Sequence, residues 1–195
     1  MQGIPPHAEE APAMEHTAVS RWFGLQFASL HPLLQALHRE GGRLHGPVDV
    51  HVGRGLAGVA GRALARRLGV PADGLAHRLE VNIRHAGQAL HWDRRFDGTH
   101  EMPSTFLAQG QWPTGHWIEK TGPLRLALTV DVVDGAWQWR PLRLWLHGLR
   151  LPLWLFPRSR AAKRVEGGRY RFEVQFSLPG LGTILRYGGL LEAEL

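Results

Sequence analysis

Gly53, Gly55 and Gly58 form a G-x-G-x-x-G run that follows the alternating stretch Val48 to Val52 and opens a helix-like one. In that setting glycines admit a pyrophosphate close to the backbone, and a helix N-terminus faces it, which is dinucleotide chemistry. A Rossmann fold needs further β-α-β units, however, and after Leu68 the sequence shows hairpin alternation instead. The run is therefore expected to be a structural strand-to-helix turn. Twelve histidines raise metal chemistry, yet none are paired at H-x-H or H-x-x-x-H spacing, so no metal site is predicted. No G-x-S-x-G elbow supports a serine nucleophile, and no cofactor is expected.

Arg94 carries a sharper signal. It alternates onto the face of Leu90, Trp92 and Phe96, against His91, Asp93 and Arg95. A guanidinium on an apolar face needs a partner. Glu119, on the face of Trp117, is the first choice, with Glu166 and Glu173 as alternatives. Tyr187 precedes Gly188 and Gly189, where missing side chains would leave space against a sheet. Trp92, Arg94, Glu119 and Tyr187 are thus predicted to line a cavity that takes a small, largely apolar ligand, its anionic end held by Arg94. The plainer alternative is a structural Arg–Glu pair.

The elements that must position these residues are legible from periodicity. Ser20 to Arg39 reads as two helices, the second entered at Pro32 and ended by Gly41-Gly42, and Leu56 to Leu68 as a third. From Ala76 onward the period is two: Leu79, Val81, Ile83; Leu90 to Phe96; Leu124 to Val132; Tyr170 to Phe176; and Thr183 to Leu191. Shorter strands fit Ser104 to Gln111 and His116 to Lys120. Asp134-Gly135 signals a two-residue hairpin, which would set Val132 opposite Trp137 and Val130 opposite Trp139. The fold class is α+β: a large curved antiparallel β-sheet or partly closed β-barrel of about eight or nine strands, with two or three helices in the N-terminal third.

At 195 residues the chain suits one core, over 17–195, behind a polar tail at 1–16 that holds Pro5, Pro6, Pro12 and three glutamates. With no cysteine, disulfides are excluded and a cytoplasmic setting is expected. The longest apolar stretch, Leu144 to Phe156, is broken by His147, Arg150 and Pro152, so no membrane span is predicted. Net charge is +6 and almost all basic residues are arginine. The charge is read as spread along the chain and compositional, with no nucleic-acid partner; the dense group Arg158, Arg160, Lys163 and Arg164 is read as a solvated loop.

In order, Phe27-x-x-Leu30-His31-Pro32, Leu68-Gly69-Val70-Pro71, Trp92-x-Arg94-x-Phe96, Ile118-Glu119-x-x-Gly122-Pro123, Tyr170-x-Phe172-x-Val174 and Pro179-Gly180 through Tyr187-x-Gly189 resemble a bacterial family, the domain of unknown function 4166. The resemblance implies one whole domain. It also implies a possible partner, since members occur alone or behind a dehydrogenase-like nucleotide-binding domain, but it supplies no catalytic residue. The function expected is accessory, non-catalytic ligand binding. The alternatives are a hydrolase or isomerase using Glu119, an accessory to a separate oxidoreductase, and an interaction module through Leu151 to Phe156, where Trp154-Leu155-Phe156 looks exposed.

Overall fold

Helix α1 (Ala18–Phe23) begins where Thr17 caps it, the hydroxyl accepting from Ser20 N at 3.2 Å and donating to the His38 carbonyl at 2.8 Å. That second bond ties α1 to α2 (Pro32–Glu40), which Pro32 starts and the His31 ring caps. The computed structural model describes residues 16–73 and 75–195, so the predicted tail lies outside the described residues except for His16. Helix α3 (Gly55–Leu68) follows strand β1 (Gly42–Val52).

The remaining chain is antiparallel sheet: β2 (Ala76–Ala86), β3 (Ala89–Phe96), β4 (His100–Gln109), β5 (His116–Thr121), β6 (Leu124–Val133), β7 (Ala136–Leu146), β8 (Leu149–Leu151), β9 (Arg158–Glu166), β10 (Arg169–Leu178) and β11 (Gly182–Glu194). Strands β6 through β1 lie side by side in reverse order, β11, β10, β9 and β7 continue from β1, and β6 pairs with β7 to close the ring. The result is a ten-stranded barrel with β8 outside it. The short β8 and strand β9, neither of which was expected from the sequence, raise the strand count above eight or nine.

The Asp134-Gly135 hairpin has the predicted register, with Val132 opposite Trp137 and Val130 opposite Trp139. Further along β7 the register slips: Ala127 faces Arg143 and Leu128 faces Pro141, leaving Leu142 as an extra residue. This bulge, next to a proline that cannot donate to a ladder, is where β7 changes partner from β9 to β8.

Gly53, Gly58 and Gly61 serve close packing. A Cβ on Gly61 would lie 2.0 Å from the Ile184 carbonyl oxygen, one on Gly53 2.7 Å from that of Thr183, and one on Gly58 2.4 Å from that of Gly53. They let α3 lie against β11. Both neighbours of β1 run antiparallel to it, so the glycine run belongs to no β-α-β crossover.

Because strands alternate in direction, their connections sort to two ends. Those after β2, β4, β6 and β9 share one end, which α1 and α2 plug. There Trp112 N donates to the Trp22 carbonyl at 2.9 Å and His31 N to that of Gly135 at 3.2 Å. The connections after β3, β5, β7 and β10 share the other. Helix α3 crosses part of that second end, its C-terminal Gly69 packed on the Glu101 carbonyl.

Candidate functional site

A barrel of about eight strands is just wide enough for its own side chains to fill; ten leave more room. At the plugged end aromatic rings take up that room. Trp22 meets Phe23 and Trp117 with ring centroids 4.9 and 5.6 Å apart, and Phe23 meets Trp137 at 5.0 Å. His38, fully buried, stacks on Trp137 at 4.7 Å.

Toward the other end the inward positions of β9 are Ser159 and Ala161, too short to reach the barrel axis, and a cavity of about 130 Å³ opens. That far exceeds the roughly 10–15 Å³ one water needs. Leu68 of α3 and Phe156 line it near the rim, and aliphatic and aromatic side chains form most of its wall.

All four residues singled out in the sequence line this cavity: Trp92, Arg94, Glu119 and Tyr187. Arg94 donates through one terminal nitrogen to Ser104 Oγ, which lies 2.5 Å from Thr121 Oγ1; Thr121 in turn donates to Glu119 Oε1 at 3.3 Å. The same Arg94 nitrogen lies 3.7 Å from Glu119 Oε1. The pair is therefore a single contact braced by two hydroxyls, short of a bidentate clamp, and Arg94 Nε is buried without a partner. Of the two alternative carboxylates, Glu166 pairs with Arg164 and Arg171 away from the cavity.

Tyr187 is placed correctly for a different reason from the one expected. Gly188 and Gly189 leave no space: a Cβ there would lie 2.6 Å from the Phe172 carbonyl oxygen and 2.3 Å from that of Pro47. Adjacent strands fill the gap, and β11 alternation alone turns Tyr187 inward. Burial pushes its phenol up to about 12, with Arg94 opposing. Burial likewise holds Tyr170, whose hydroxyl has no partner, well above the ordinary tyrosine value.

Sequence reasoning missed Lys163. The group Arg158, Arg160, Lys163 and Arg164 is no solvated loop; it is strand β9, with Lys163 turned inward and almost fully buried. Its Nζ lies 3.9 Å from the ring centroid of Trp92, 4.3 Å from Trp137 and 5.4 Å from Trp139. Among the described residues it has no ion pair. Burial, then the charge of Arg94, pushes the amine well below the usual lysine range, while Glu119 acts the other way. The tryptophan faces also favour the ammonium. The signal was present: Ser159, Ala161, Lys163 and Val165 alternate against Arg158, Arg160 and Arg164.

Among the described residues the cavity wall thus carries two basic side chains, Arg94 and Lys163, against one carboxylate, Glu119. No group of three or more His, Asp or Glu placed to hold a metal occurs among the described residues, and no helix there is long and apolar enough to cross a membrane.

An antiparallel barrel capped by N-terminal helices, with a lined internal cavity, is the class of protein the fold defines. The chain belongs to the family described as domain of unknown function DUF4166, whose model matches residues 30–191. No curated protein matches it. Among solved structures it is similar to Rv2717c from M. tuberculosis, at 14% identity and a TM-score of 0.49 over 85% of this chain and 99% of that one.

Proposed function

We propose that the domain binds, without chemical conversion, a small and largely apolar molecule whose carboxylate or phosphate end sits between Arg94 and Lys163. One observation carries this reading: inside an apolar cavity, the polar groups around Arg94 are left incompletely paired. Arg94 Nε and the Tyr170 hydroxyl are buried without partners, and each such group costs about 1–3 kcal/mol if left so. An anionic head would accept from both and balance the second positive charge. It would also favour protonation of Lys163, so binding should draw in a proton and weaken as pH rises.

The test is native mass spectrometry of protein purified from cells, followed by displacement of a fluorescent fatty-acid probe. In Arg94→Ala the probe should bind at least about tenfold more weakly, the loss of one charge-assisted hydrogen bond, and Lys163→Met should act in the same direction. A purely structural ion pair would instead cost about 3–5 kcal/mol of stability when broken, with retention unchanged. That second result, or no bound ligand and no probe binding in the wild type, overturns the assignment.

A further inference from the structure

The net charge of the protein is concentrated in one stretch. Residues 135–165 hold seven of the 23 basic residues and none of the 17 acidic ones, so the rest of the chain is close to neutral. Two of these basic residues face carboxylates, Arg140 to Asp131 and Arg164 to Glu166, and Lys163 is inside. Arg143, Arg150, Arg158 and Arg160 are exposed and have no ion pair among the described residues. The charge is therefore not merely spread along the chain.

The same stretch carries a run of exposed apolar side chains at the rim. Between β8 and β9 a single 3-10 turn (Leu153–Leu155) projects Trp154, 77% exposed, with Leu155 at 54% and Leu149 beside them at 71%. Pro152 enters the turn and Pro157 follows it. Phe156, the next residue after the turn, points the other way and lines the cavity. Arg143 and Arg150 flank Leu142, Pro152 and Leu153 around a shallow groove on the outer face. Tryptophan and leucine tips surrounded by unpaired arginines match a lipid headgroup layer, where an indole sits among the headgroups and guanidinium groups meet phosphates. A nucleic acid would use the arginines but has no use for exposed leucines, which do not stack on bases.

We propose that this rim, from Leu149 to Arg158, docks on an anionic membrane surface, with Trp154 and its leucine neighbours in the headgroup layer and Arg143, Arg150 and Arg158 on lipid phosphates. The proposal does not require the cavity to be filled, so it and the ligand reading fail separately.

The experiment is sedimentation of the full chain with phosphatidylcholine vesicles, with and without phosphatidylglycerol, at low and raised salt. The protein should pellet with the anionic vesicles only, and less as salt rises. Arg143→Ala and Arg150→Ala should each weaken binding about fivefold. Trp154→Ala should weaken it roughly tenfold with the melting temperature unchanged, since the side chain has almost no intramolecular packing to lose. Brominated lipid should quench tryptophan fluorescence in the wild type and less in Trp154→Phe. No pelleting, equal pelleting of wild type and variants, or capture by an oligonucleotide that anionic vesicles do not displace would overturn it.

Discussion

The two ends of the barrel obey the same alternation rule and come out differently. Under α1 and α2, inward residues are large and find one another: Trp22, Trp117 and Trp137 are fully buried, and Phe23 and His38 fill the spaces between them. Toward the rim the inward set includes Ser159, Ala161 and Pro141, and the rings of Phe106 and Trp139 stack at 5.5 Å along the wall without filling the centre. Barrel width is set by strand number, so side-chain volume decides where the same cylinder is core and where it is container. Charge follows that division: Lys163, which has no ion pair among the described residues, lies where the two meet, its ammonium over Trp137 of the packed end and over Trp92 of the cavity wall.

The largest effect that would sharpen this contrast is Trp137→Ala. The ring packs on Phe23, His38 and Trp139 and lies under the Lys163 ammonium, so its loss should cost about 3–5 kcal/mol in urea unfolding. A loss below about 1 kcal/mol, within the range of a surface change, would mean that the plugged end is as loosely packed as the rim.

A smaller effect is expected from pH. Burial, then the charges of Lys163 and His85, hold the His38 imidazole well below its ordinary value of 6.5. As pH falls through 6.5 the unfolded chain takes up a proton that folded His38 refuses, so stability should fall with acidification by up to about 1.4 kcal/mol per pH unit from this residue. Chemical denaturation above and below pH 6.5 should show a shallower pH dependence in His38→Leu than in wild type. An unchanged slope would place water at the plugged end.

The smallest effect is spectroscopic. The chain has two tyrosines, Tyr170 and Tyr187, and both are buried at the cavity. Their raised phenol values imply that folding loses stability as pH rises above about 10, where the unfolded chain ionises first. In the folded protein the tyrosinate absorbance should stay absent at pH 10, with Tyr187 ionising only toward about 12. Ionisation of both phenols near 10 would show a cavity open to water at its base.

Much of this could be read from sequence because a strand has a period of two. Trp92 and Arg94 point inward for that reason alone, and the Asp134-Gly135 turn fixed the Val130–Trp139 register because both its residues, with φ of 50° and 74°, adopt the left-handed conformation that pair tolerates. Lys163 was lost because a local count of charges outweighed the alternation beneath it. Ser104, Thr121 and Tyr170 join the site through packing across strands distant in sequence, which no single segment encodes. Strand number alone pointed to a curved or partly closed barrel, but the pairing that closes it was not legible, since β6 and β7 pair as an ordinary hairpin and the ring appears only when β9 takes the other edge of β7.

The seam between β1 and β11 has a consequence in time. During synthesis β1 emerges early and soon finds β2, but the strand that covers its other edge emerges only after the nine strands between them. Chains lengthen at about 5–20 residues per second, so an open β1 edge persists for several seconds at least. Such non-local closure also favours slow folding. Over that interval the nascent chain presents a template for strand pairing with its neighbours. Crowded translation, more than heat, is therefore the condition under which this domain should be most prone to aggregate.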